Sequence, residues 1–240
     1  MSGFFDIPSD LQSSYFGLVG QHLREALLPV VAGLVVALPI AQLCVRFRRL
    51  YPPVLGVTTV LYAIPSLAFF VVLIDYTGQS EITVMIPLAV YSLVVFVPAI
   101  VDGVRSVPQE TLDAATAMGL GPVRRYLQVQ LPIAVPAIMA GLRVATVSSI
   151  SLVSVGMLIG NQGGLGNLLY DGMSYHRPRL IWLSVVGTAV LAILADAVLV
   201  GVRLLLTPWM PRGTRRSRTA GAVTKARPDA TAVALEDAAR

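Results

Sequence analysis

The order of apolar and polar positions divides the chain into long uncharged runs separated by short polar breaks. Residues 26–45, 54–74 and 82–101 hold no charged side chain. Two further runs, 133–159 and 180–206, are interrupted only by Arg143, Asp196 and Arg203. About 20 apolar residues are what one helix needs to cross a hydrocarbon core of roughly 30 Å. Five spanning helices are therefore predicted, giving an all-α polytopic membrane protein. A sixth stretch, 106–132 (SVPQETLDAATAMGLGPVRRYLQVQLP), is too polar to span and too long for a turn. Residues 111–118 are good helix formers behind an acidic start, and Gly119 stands where such a helix would stop. Gly121-Pro122 is a break, and Pro122 can open a second short helix ending near Pro132.

Composition agrees with a bilayer as the solvent. Hydrophobic residues make up 55% of the 240 and charged residues 13%, too few to cover a soluble core. The net charge of +5 does not read as nucleic-acid binding, because the basic residues cap apolar runs and are not interleaved with aromatics. Their distribution instead sets orientation. Fourteen lie after spans one, three and five, and three (Arg24, Arg177, Arg179) lie on the other side. The amino terminus is then outside and the carboxyl terminus cytoplasmic. Residues 1–21, without Lys or Arg, read as an extracytoplasmic segment rather than a cleavable leader. Residues 22–208 form the membrane domain, and 209–240 read as a disordered cytoplasmic tail. Cys44 is the lone cysteine, which excludes an intrachain disulfide and a CxxC metal or redox site. No metal site and no internal repeat are expected.

Asp113-Ala114-Ala115, then Gly119, then Val129-Gln130-Leu131-Pro132 resembles the coupling loop of ATP-driven (ABC) importer permeases, Glu-Ala-Ala followed at fixed spacing by Gly and Ile-x-Leu-Pro. All spacings fit, with Asp for Glu and Val for Ile. Three further stretches are similar to osmoprotectant importer permeases for glycine betaine, choline and carnitine. They are residues 63–68 (AIPSLA), 136–143 (PAIMAGLR) and 159–166 (IGNQGGLG). The resemblance covers about 22–206. It implies a five-span type I ABC importer permease bundle, akin to the methionine permease, with cytoplasmic coupling helices. It also implies the partners: ABC ATPase subunits that hold ATP and Mg, an extracytoplasmic solute-binding protein, and a second permease subunit, identical or a sister chain, in the bacterial inner membrane. This chain would bind no cofactor and catalyse nothing. Asp113, Ala114, Ala115, Gly119, Leu131 and Pro132 are then the residues expected to meet the ATPase, small Ala114 and Ala115 fitting a groove and Leu131-Pro132 setting where the chain turns back into the membrane.

Inside the spans, Pro65-Ser66 predicts a kink in span two, as a gate or a structural bend. Tyr62, Pro65, Ser66, Ser148, Ser151 and Asn161 are candidates for lining a translocation path. The serines give span four a weakly polar face that serves close packing or a cavity. Tyr62, Tyr91, Tyr170 and Tyr175 could meet a quaternary ammonium. Arg143 and Asp196 lie at similar depth and can form an intramembrane ion pair. Two alternatives remain at this level: a permease of the same fold for methionine or another small zwitterion, and an ion-coupled secondary carrier with Asp196 as its ion site.

Overall fold

The computed structural model describes residues 9–159 and 164–209. Among them, four helices are long and apolar enough to cross a membrane, and a fifth span results if one bent pair is counted together. The first, α1 (Ser9–Arg46), begins well before the uncharged run that predicts it. Its early start is stabilised at the bundle end, where Gln21 Nε2 donates to Glu81 Oε1 (3.2 Å) and Arg24 lies 3.9 Å from the same carboxylate.

The second predicted span is two helices, α2 (Tyr51–Ala63) and α3 (Ser66–Thr77), which meet at 88°. Residue Pro65 brings no N–H and pushes Ile64 out of the helical region, to φ −66° and ψ 124°. The expected kink is thus a complete break. The opened backbone is satisfied from another span, since Tyr91 Oη donates to the Ile64 carbonyl at 2.9 Å. Tyr62 and Phe69 pack edge-on against the Tyr91 ring, with centroids 5.7 and 5.9 Å away.

Tyr91 belongs to α4 (Glu81–Arg105), the hub of the bundle, which packs against α1, α2, α3 and α7. Its buried residues Val84, Leu88, Tyr91, Val97, Ile100, Val101 and Val104 recur at helical spacing. Lipid removes the hydrophobic drive between helices, so close approach of small residues must supply the packing. A Cβ on Gly103 would meet Ala137 and Ala134 at 3.0 and 3.1 Å, and one on Gly141 would meet Ala99 at 3.0 Å. These contacts seat α4 on α7 (Leu131–Gly156).

Two apolar cores result, one around Phe96, Ile100 and Ala41 and one around Phe70, Val84 and Ile150. Between spans three and four stand α5 (Gln109–Ala117) and α6 (Pro122–Arg125), and after α7 come α8 (Gly166–Ser174) and α9 (Pro178–Leu206). Helix α9 contributes little to the buried interior, so its apolar side chains remain on the outside of the chain. Most of the predicted tail and residue Asn161 lie outside the described residues.

Candidate functional site

The polar stretch between spans three and four folds into an elbow built around Gly119. Helix α5 starts after Pro108 and ends at Ala117, and Gly119 adopts the left-handed conformation (φ +79°). Two backbone bonds close the helix end: Gly119 N donates to Thr116 O (2.9 Å) and Leu120 N to Ala115 O (3.1 Å). This reciprocal pair needs a residue that tolerates positive φ, which is why glycine stands there. Arg125 then reaches back across the bend, its Nη1 donating to Thr116 Oγ1 at 2.9 Å.

Beyond the elbow the chain does not form a separate second helix ending near Pro132. Helix α6 passes through a π-helical turn, Tyr126–Gln130, into α7, so that 122–159 is one 38-residue rod. Pro132 lies in the first turn of α7 and does not break the rod. The chain therefore turns back toward the membrane at Gly119–Gly121, and Leu131 and Pro132 are half-buried within the rod instead of marking the turn. The elbow is mounted rigidly on one end of a membrane-crossing helix.

Its surface divides the predicted residues. Asp113 and Ala114 are exposed, whereas Ala115 is buried, so only the first alanine is available to a partner. Part of the Asp113 carboxylate is used within its own helix, accepting from Gln109 Nε2 at 2.9 Å. Sequence reasoning missed the exposed apolar side chains of the elbow, Met118 (73% exposed), Val123 (71%) and Leu127 (52%). The i, i+4 pair Val123/Leu127 in an otherwise polar stretch was the signal available for them. Among the described residues nothing covers these apolar groups.

At the foot of the elbow, Arg105 Nη2 donates to Cys44 O (3.1 Å) and its guanidinium lies 4.9 Å from the Tyr51 ring centroid. One side chain on α4 thereby joins the end of α1 to the start of α2.

Within the membrane region the structure brings Arg143 of α7 and Asp196 of α9 together. Nε lies 2.6 Å from Oδ1 and Nη2 lies 2.8 Å from Oδ2, a two-pronged fork. The fork geometry favours Arg over Lys. Tyr62, Pro65 and Ser66 gather at the break between α2 and α3. Ser148 and Ser151 are exposed on α7, while their neighbour Ser149 is buried and donates to the Ala26 carbonyl at 2.8 Å, which makes it a strut between α1 and α7.

At the end of the bundle away from the elbow, α8 is held from three sides. His22 of α1 accepts at Nδ1 from Leu165 N (3.2 Å), which leaves Nε2 protonated to donate to Ile150 O on α7 (2.9 Å). Ser184 of α9 donates to Leu165 O at 2.7 Å. Gly172 lies so close to α9 that a Cβ there would come within 2.9 Å of the Ile181 backbone nitrogen.

Residues 29–212 match the family described as "Binding-protein-dependent transport system inner membrane component". Among curated proteins, a choline transport system permease of Bacillus subtilis is 34% identical over 196 residues, covering 81% of this chain and 86% of that protein. An osmoprotectant import permease of Salmonella typhimurium is 32% identical over 196 residues, covering 80% and 91%. Among solved structures, a chain of the methionine ABC transporter in an inward-facing conformation superposes with a TM-score of 0.74. It covers 84% of this chain and 100% of that chain at 19% identity, a likeness of fold.

Proposed function

The chain belongs to the family of binding-protein-dependent transport system inner membrane components, and from that premise we propose that it is the membrane-spanning subunit of an ATP-driven importer of quaternary-ammonium osmoprotectants. Glycine betaine, choline and carnitine are the solute class, as the names of its relatives suggest. The observation that carries the mechanism is the elbow: a rigid bend with an exposed apolar face, set on the end of a 38-residue rod. An ATPase subunit that grips Met118, Val123 and Leu127, with Asp113 and Ala114 beside them, would move the rod as a lever when it closes on ATP. A movement at one end of a continuous helix reaches the other end without being absorbed, so the bundle alternates between inward- and outward-open states. Each ligand drives this only as far as it favours one state over the other.

Under this reading the permease catalyses nothing, and ATP and Mg stay on the partner. A second permease, identical or a sister, completes the path, and a solute-binding protein delivers cargo at the end opposite the elbow. The positive residues in the sequence of the elbow and tail support a cytoplasmic elbow and an amino terminus outside. The ion-coupled alternative fits poorly, because Asp196, the carboxylate it needs, is engaged by both prongs of Arg143. The test is uptake into proteoliposomes holding the permease with its ATPase and binding-protein partners. ATP inside should drive accumulation of labelled choline or glycine betaine. Accumulation driven by a proton gradient without ATP, or of methionine alone, would sink the proposal.

A further inference from the structure

Helix α8 has a second consequence, at a place that neither the coupling elbow nor the ion pair explains. A cavity of about 670 Å³ opens at the bundle end opposite the elbow, between α3, the Met157–Ile159 turn and α8. Its apolar side includes Ile74 and Leu158, and its polar side is made by Gln79, Tyr170 and Asp171. The Tyr170 ring is about half exposed (51%), and Asp171 is half-buried. Neither the Arg24–Glu81 pair nor the Arg143–Asp196 pair uses the Asp171 carboxylate. A carboxylate beside an aromatic face and apolar walls suits a large, weakly hydrated cation, whose methyl groups take the walls and the ring. A metal ion is a poor occupant, since no group of three or more His, Cys, Asp or Glu is available among the described residues.

The wall that carries these groups is preorganised. The bonds to His22, Ile150 and Ser184 and the tight seat of Gly172 fix both ends of α8, so Tyr170 and Asp171 hold their positions before any ligand arrives. We propose that this cavity is a binding site on the permease for the quaternary-ammonium group of the solute, with Asp171 as counter-charge and Tyr170 as aromatic face. It is the place where cargo released by the binding protein is first received. The inference rests on the substrate class proposed above and adds the site, which the selecting receptor does not provide.

The experiment uses the permease–ATPase complex in nanodiscs without binding protein, titrated with labelled choline, and the same complex in proteoliposomes with binding protein and ATP. Choline should bind saturably to the wild type. Its neutral isostere 3,3-dimethylbutan-1-ol should compete poorly. Asp171→Asn should weaken choline binding by about tenfold or more, the loss expected for one partly exposed charge pair, and Tyr170→Leu by a smaller factor. Asp171→Glu should recover most of the affinity, which a purely structural role would not predict. No saturable binding, binding unchanged within twofold in Asp171→Asn, or equal competition by the isostere would each overturn the cavity assignment even while the wild type still imports choline. A wild type that imports no quaternary ammonium compound at all would instead overturn the substrate class, and the cavity with it.

Discussion

Two nine-residue helices flank the same rod, and they are held in opposite ways. Helix α5 packs chiefly on α6, buries only Ala115 and is joined to the rod through one left-handed glycine. Helix α8 buries Gly166, Leu168 and Gly172 and is tied to α1, α7 and α9. A short helix gains its stability from what it packs on, not from its own propensity. The anchored helix is therefore part of the wall of the bundle. The lightly anchored one leads into a bend whose apolar side chains Met118, Val123 and Leu127 stay exposed among the described residues, and their natural complement is another molecule. The contrast predicts that damage at α5 should cost coupling and damage at α8 should cost stability or solute binding.

The strongest way to break that contrast is Gly119→Val. Nothing lies within 4 Å of a Cβ placed there, so the whole penalty is the positive φ, about 1–2 kcal/mol or more for a β-branched residue. The elbow should relax, and ATP-driven uptake should fall more than tenfold while the amount of permease in the membrane stays level. Asn in the same place, which tolerates the left-handed region, should keep much of the activity. Uptake in Gly119→Val equal to wild type would detach the elbow from transport.

Next in size is the opposite end. His22 is fully buried and bonds to two backbones, so His22→Leu leaves the Leu165 N–H without its partner and takes the second donor from the Ile150 carbonyl, which keeps its place in the α7 ladder. The orphaned N–H costs about 1–3 kcal/mol, and thermal unfolding in detergent should shift down by several degrees. Gly119→Val should shift it little. If the two variants exchange signatures, the division into handle and wall is wrong.

A finer cut tests the apolar face alone. Val123→Asp with Leu127→Asp places charge on side chains that already face solvent, so the fold should be unaffected within about 0.5 kcal/mol. Recovery of the ATPase with the purified permease should drop about tenfold, as for the loss of central apolar anchors. Smaller again is Tyr91→Phe. It removes the donor to Ile64 O at the 88° break and keeps both ring contacts, so it should cost about 1 kcal/mol by thermal unfolding.

What a reader of the sequence could foresee follows from range. Uncharged runs report the spans because burial in lipid is a local demand on about 20 consecutive residues. The end of α5 is local too, since a glycine after a helical stretch is the signature of the closing turn. The right-angle break is not local. Pro65 announces an interruption, but its depth depends on Tyr91, 27 residues from Ile64, arriving to satisfy the Ile64 carbonyl. Continuity of the rod through Pro132 was hidden for a related reason, because proline in a first helical turn lacks only an N–H that would have had no partner. Helix α8 sits in a Gly-rich stretch with no clear period, and it is recognisable only through what grips it from three spans. The exposed apolar side chains of the elbow are single letters in polar company, and their exposure shows only once the bend and α6 are in place.

The smallest expected change is Asp113→Glu, and it separates two accounts of how the elbow is gripped. In this structure the carboxylate accepts from Gln109 one turn back on an exposed helix face. One added methylene can keep that pair, which is worth about 0.2–0.5 kcal/mol on a helix surface. If the partner grips mainly the apolar side chains Met118, Val123 and Leu127, uptake by Asp113→Glu should stay within about twofold of wild type. A loss of tenfold or more would mean that the reach of this one carboxylate sets the contact. The grip would then be electrostatic and weakened by salt, whereas an apolar grip would hold or tighten as salt rises. Measuring uptake of both proteins across ionic strength therefore decides the question even if the rates at one condition agree.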